Sequence, residues 1–178
     1  MTIKKNCIWL LLLPTLTFTA PPSEKNYALK SNGGVSSYSC PDLNSTELSH
    51  WKANDGSLDN YCQTCSDSTT WWQVQLAQRT HVEYVKIYKH VDDEFISFIG
   101  ASLEIYDGTT LMNKTIINSD IFDTFSDHIA IRLNEFFVTT KVRVEQNNGY
   151  PLRLVEVEVY GAIVSIHHMS SINESWPS

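Results

Sequence analysis

Four cysteines and a pair of glutamates are the residues whose types and spacing suggest chemistry. The cysteines are Cys7, Cys40, Cys62 and Cys65. Cys62-Gln63-Thr64-Cys65 has the spacing of a redox pair or of half a zinc site. A redox pair of this kind needs a βαβ setting, which the chain does not show. A zinc site needs two more ligands, and Cys40 and His50 offer them only without a familiar spacing. A structural disulfide is the better reading for an oxidising compartment. Glu156 and Glu158 stand two apart near the end of the chain. On a strand they would share a face about 6.5–7 Å apart, within the range of an inverting glycosidase pair. Nothing around them supplies a sugar cleft or a raised pKa, so glycoside chemistry stays a remote third reading. No serine lies in a Gly-x-Ser-x-Gly elbow. His167-His168 falls in the terminal segment and reads as a solvated patch. The chain is expected not to be an enzyme.

The elements that must carry these residues read as strands. Trp72, Val74 and Leu76 alternate with Gln73 and Gln75, and Val85 and Ile87 with Lys86 and Tyr88. Leu103 and Ile105 flank Glu104. Ile129, Ile131 and Leu133 alternate with Ala130 and Arg132, and Val142 and Val144 with Lys141, Arg143 and Glu145. Val155, Val157 and Val159 alternate with Glu156 and Glu158. A period of two places one set in a core and the other in water. Asp55-Gly56, Asp107-Gly108 and Asn148-Gly149 punctuate the runs as turns. No window carries a helical stripe. Many short strands at regular spacing predict an all-β, single-domain sandwich.

Residues 1–20 read as a secretory signal peptide. Lys4 and Lys5 precede a short apolar run at Cys7–Leu13, and small residues lead to Ala20. The run is too short to span a bilayer. The roughly 155 residues that follow suit one domain with one core. Residues 162–178 lack a pattern and are expected to form a loosely held tail. Three sequons, at Asn44, Asn113 and Asn173, agree with secretion and are candidate glycosylation sites. The balance is acidic, with 20 Asp+Glu against 13 Lys+Arg and a net charge of −7. It excludes a nucleic-acid role, and an anionic membrane surface would repel it. Loss of Cys7 with the leader leaves three cysteines, hence one bridge and one spare thiol.

Three blocks stand in order: Ala53-Asn54-Asp55-Gly56-Ser57, Trp71-Trp72-Gln73-Val74-Gln75-Leu76, and Val155-Glu156-Val157-Glu158-Val159-Tyr160-Gly161. Residues 26–161 thereby resemble the F-type lectin (fucolectin) domain, a relative of the discoidin and coagulation-factor C-type domains. The resemblance implies a galactose-binding-type jelly-roll sandwich that recognises a glycan or glycoprotein. It also implies calcium as cofactor. The ligands implied are the side chains of Asp55, Thr64 and Glu156 and the backbone carbonyls of Lys52, Ser57 and Val155. Calcium wants six to eight such oxygens. The fucose-binding positions carry over as Asp67 for a histidine, and as His90 and Ser97 for two arginines. Asp92, between the latter two, does match. No preorganised guanidinium remains, so the sugar site is degenerate. A protein- or lipid-binding adhesion module of discoidin type is the alternative, with membrane lipid the weaker partner. Phe95, Ile96 and Phe98 could then form an apolar spike, although an acidic triplet, Asp92-Asp93-Glu94, adjoins them and a solvated acidic turn leading into core residues is the better reading. The Trp71-Trp72 pair is expected to be core rather than a sugar platform. In the family the cysteine matching Cys65 bonds one near the last strand, where Val155 stands here. Cys40 is therefore expected to pair with Cys62 or Cys65. F-type lectins commonly form multimers, so a homo-oligomer is also expected, with the spare cysteine one route to it.

Overall fold

The computed structural model describes residues 25–40, 48–90, 98–121 and 127–164. The leader, the sequons at Asn44 and Asn173, His167-His168, and the positions Asp92, Phe95, Ile96 and Ser97 lie outside the described residues. Inside them the elements are strands and short 3-10 turns. The strands are β1 (Val35–Tyr38), β2 (Cys62–Gln63), β3 (Thr70–Lys89), β4 (Ser102–Asp107), β5 (Thr110–Ile116), β6 (His128–Gln146) and β7 (Arg153–Ile163). Their hydrogen-bonded order is β2-β7-β3-β6-β4-β5, with β1 added to β3, and every pairing is antiparallel. Among the described residues no helix is long and apolar enough to cross a membrane.

Two expected strand pairs prove to be single long strands. The runs around Trp72–Leu76 and Val85–Ile87 both belong to β3, and those around Ile129–Leu133 and Val142–Val144 both belong to β6. The first half of β3 pairs with β1 and with the second half of β6. Its second half pairs with β7 and the first half of β6. Each long strand thus serves both layers of the sandwich. The register breaks at Gln75/Thr80 and at Val82/Tyr84, where the chain passes between layers. An extra residue in one strand bends it and exchanges its two faces. Trp72, Val74, Leu76 and Val82 are buried before the second break, and Val85 and Ile87 after it. The parity changes from even to odd, which hides the continuity from a strict period-two reading.

Both layers feed one core. Trp72, Val74, Leu103, Ile105, Val142 and Val144 from one layer meet Val85, Ile87, Ile129, Ile131, Val157 and Val159 from the other. Each such side chain stabilises the fold by roughly 1.5–3 kcal/mol through burial. Trp72 is fully buried, and its indole N–H donates to the His50 carbonyl at 2.8 Å, so the core reading of this tryptophan holds. Trp71 faces the other way, beneath the Arg143 guanidinium at 4.6 Å. Asp107 pairs with Thr110 across a two-residue turn, and Gly108 supplies the positive φ of +60° that the turn requires. At the other end, β7 runs two residues past Gly161. Ala162 and Ile163 remain paired with His81 and Thr80, so the expected tail begins later than residue 162.

Candidate functional site

A 3-10 turn at His50–Asn54 delivers the chain into Asp55-Gly56. Asp55 then organises the loop that follows it. Its Oδ1 accepts the Ser57 N–H at 2.8 Å, and its Oδ2 accepts from the Asn60 amide at 3.2 Å. The first of these is a local Asx turn, the conformation that short acidic side chains favour.

Across from this loop, β7 presents Glu156. The register between β3 and β7 slips between Tyr88 and Lys89, opposite Glu156 and Leu154, which leaves Val155 as the extra residue. Glu156 follows it directly and turns onto the Asp-Gly loop, where Oε2 accepts the Gly56 N–H at 3.3 Å. The residue is only 1% exposed, and among the described residues Oε1 has no hydrogen-bond partner. Burial pushes its carboxyl up to about 8, with the charges of Asp55 and Glu158 acting in the same sense against the Gly56 N–H. This corrects the alternation that placed Glu156 in water with Glu158. The pair shares no open face, which removes the basis for a glycosidase reading. Glu158 instead lies among Tyr88, Tyr160 and Lys86, whose Nζ stands 4.0 Å from its Oε2.

The remaining expected ligands divide. Lys52 lies inside the 3-10 turn, Ser57 follows Asp55, and Val155 precedes Glu156. Thr64 is buried, but its hydroxyl is engaged elsewhere. Its Oγ1 accepts the Leu152 N–H at 2.8 Å and donates to the Cys65 carbonyl. The fold thus joins Asp55 to Glu156 and ties Thr64 to the approach to β7. Among the described residues no group of three or more His, Cys, Asp or Glu could hold a metal. The set here has two carboxylates, and any further oxygens must be hydroxyl or carbonyl.

Cys40 bonds Cys65, and the Cys65 N–H donates to the Cys40 carbonyl at 3.2 Å. Of the two partners expected for Cys40, the structure selects Cys65. Among the described residues Cys62 is the free thiol, fully buried in the core, and burial pushes it up to about 12. A thiol held so far from ionisation is inert, and a buried one is poorly placed to bridge two chains.

The expected sugar positions are less closely gathered. Asp67 is exposed, and its Oδ1 accepts from both the N–H and the hydroxyl of Ser68. His90 follows β3 directly, with its ring 4.2 Å from that of Tyr61. Leu154 pairs with both Lys89 and Cys62, so the backbones of Tyr61, His90 and Arg153 come to the same end of the sandwich. Arg153 Nε donates to Gln63 Oε1 at 2.8 Å. Sequence reasoning missed Tyr61 and Arg153. The only available signal was the place of Arg153, three residues before Glu156.

No protein-family model and no curated protein matches the sequence. Solved structures do. A fucose-binding module of Streptococcus pneumoniae is 29% identical, with 76% of this chain and 97% of that one covered at a TM-score of 0.64. The lectin domain of lectinolysin, solved with Lewis b antigen, is 20% identical, with 78% and 97% covered at a TM-score of 0.65. A fucolectin from the serum of striped bass, Morone saxatilis, is 21% identical, with 79% of this chain and 50% of that one covered at 0.64. The chain therefore has the all-β, galactose-binding-like fold of the F-type lectins.

Proposed function

We propose that the protein is a secreted carbohydrate-binding module, stabilised by calcium, that recognises a glycan or glycoprotein without turning it over. The observation that carries the calcium reading is the buried Glu156 carboxylate, with one oxygen unpartnered against the Asp55-Gly56 turn. An unpaired buried charge costs several kcal/mol, and a cation beside it removes that cost. The oxygens at hand suit calcium, which accepts carboxylate, carbonyl and hydroxyl ligands in irregular geometry. Asp55 and Glu156 would hold it, with the carbonyls of Lys52, Ser57 and Val155 alongside and Thr64 at the margin. Two carboxylates balance its charge. Bound calcium would supply structural charge neutralisation, not reaction chemistry.

Carbohydrate as the ligand class rests on the structural relatives, whose names record fucose and Lewis b binding. Secretion rests on the leader motif and on the Cys40–Cys65 bridge, which belongs to an oxidising compartment. Asn113, the one sequon inside the described residues, lies in β5 with its Oδ1 accepting from Thr115.

Calcium is expected to raise the melting temperature, because a ligand that binds only the folded state stabilises it by about 2.7 kcal/mol at a hundredfold excess over its Kd. Asp55→Ala is expected to abolish that response. Equal melting curves in calcium and in excess chelator would overturn the calcium reading. Glycan-array binding that disappears in chelator supports the whole proposal. Binding confined to protein or lipid surfaces points instead to an adhesion module of discoidin type, and turnover of a chromogenic glycoside to an enzyme.

A further inference from the structure

Behind the turn that carries Asp55 lies a separate cleft of about 270 Å³. One wall is Lys30 with residues 33–36, and the other is His50, Trp51 and Asn54. Its floor is rigid. Asn54 is fully buried, accepts from Ser36 Oγ at 2.9 Å, and donates to the carbonyls of Ala28 and Gly34. Its rim is open. Trp51 is 39% exposed and Val35 69% exposed. The Lys30 ammonium stands 4.8 Å over the Trp51 ring. Among the described residues Lys30 forms no ion pair with a carboxylate. His50 Nδ1 is engaged with Ser36 Oγ at 2.9 Å, which leaves Nε2 as the ring atom available to a ligand.

We infer that this cleft is a second binding site, for a single sugar ring bearing a carboxylate. Three features select that chemistry. An exposed indole offers an apolar, polarisable surface to the C–H face of a pyranose. An ammonium with no carboxylate partner among the described residues, in a chain of net charge −7, complements a carboxylate. A volume just below the usual range of about 300–1,000 Å³ fits one ring better than an oligosaccharide. The ring lies on the exposed part of Trp51, its carboxylate meets Lys30, and a hydroxyl reaches His50. Uronic acids and sialic acids share this chemistry. The site does not depend on the calcium reading, because neither Lys30 nor Trp51 belongs to the calcium set.

The test is titration of the full chain, followed by NMR, with methyl β-D-glucuronide and with 3′-sialyllactose. Methyl β-D-glucoside and lactose are the neutral controls. One or both acidic probes are expected to bind roughly tenfold or more tightly than their controls, with affinity falling as salt is added. Which of the two binds separates the uronate source from the sialate source. Lys30→Gln is expected to remove the preference for acid, and Trp51→Ala to weaken binding altogether. Both side chains are exposed enough that the variants should fold, and melting curves verify this. Lys30→Gln must also keep any calcium response of the melting temperature, whereas Asp55→Ala loses it, so the two readings fail separately. Equal affinity for acidic and neutral probes, no binding of either acidic probe, or unchanged selectivity in Lys30→Gln would each overturn the inference.

Discussion

The residue that reorganises the reading of this chain is Glu156. In the sequence it is one of two glutamates alternating with valines, and alternation assigns both to water. Glu156 keeps the strand face of Glu158, but the Asp55-Gly56 loop, 100 residues away in the chain, covers that end of the face and leaves Glu156 only 1% exposed. Cysteine pairing was half legible in the same way. Three cysteines beyond the expected leader imply one bridge and one odd thiol, but Cys62 and Cys65 are equivalent partners for Cys40 until strands place them. Cys62 points into the core, paired by its backbone with Leu154, while Cys65 lies beyond β2, facing Cys40. The bridge closes a loop of sequence separation 25, worth about 3.5 kcal/mol in the chain-entropy account. Cys40→Ser is therefore expected to lower unfolding free energy by about that amount in urea titrations. Peptide mapping without reduction should find Cys40 joined to Cys65, with Cys62 alkylated only after unfolding. A map that found Cys40 free would refute the assignment.

At the scale of elements, the β3–β7 contact is tight enough to demand glycine. A Cβ at Gly161 would strike the His81 backbone carbonyl, and neither strand can move without breaking the ladder. Gly161→Ala is expected to cost at least about 3 kcal/mol, read from the urea midpoint, since overpacking against backbone finds no flexible side chain to yield. A loss below 1 kcal/mol would show that the bulge can relax. The β4–β5 hairpin is held to its neighbour electrostatically. Glu104 is 3% exposed, accepts from Lys114 Nζ at 2.7 Å and from the Tyr106 hydroxyl, and Lys114 reaches Glu145 on β6 at 3.5 Å. Burial alone would raise the Glu104 carboxyl, but the bonds from Lys114 and Tyr106 outweigh it and hold it below the ordinary range. A carboxyl depressed in the folded state adds stability above its unfolded value. That stability is lost as pH falls through the folded one. Glu104→Gln is expected to flatten the fall in melting temperature between about pH 5 and about pH 3. An unchanged acid profile would assign the sensitivity to other carboxyls.

At the scale of the whole molecule, the fold of the F-type lectins is present, while the sequence resemblance implies that two of their sugar-binding residue types are not. The resemblance sets His90 and Ser97 where the family carries paired arginines. Hydrogen bonds to charged donors contribute about 1.5–3 kcal/mol each. Their loss is expected to weaken L-fucose binding by roughly two to four powers of ten in calorimetry with calcium present. Submillimolar binding, lost on changing His90, would show that the site is rebuilt by another route, with Tyr61 and Arg153 nearest to hand. Sequence alone determined the all-β class, the strand cores from Trp72 to Val159, the turns at Gly56, Gly108 and Gly149, and the need for a disulfide. These follow from local rules: period-two burial, positive φ at glycine, and the odd count of cysteines beyond Cys7. Only the tertiary structure decided which short strands fuse into β3 and β6, which cysteine is bridged, that Glu156 is buried, and that Lys30 meets Trp51 across a cleft. Each of those depends on an inserted residue or on residues far apart in the chain. A bulge exchanges the two faces of a strand without altering composition, and contacts between distant segments leave no period in the sequence.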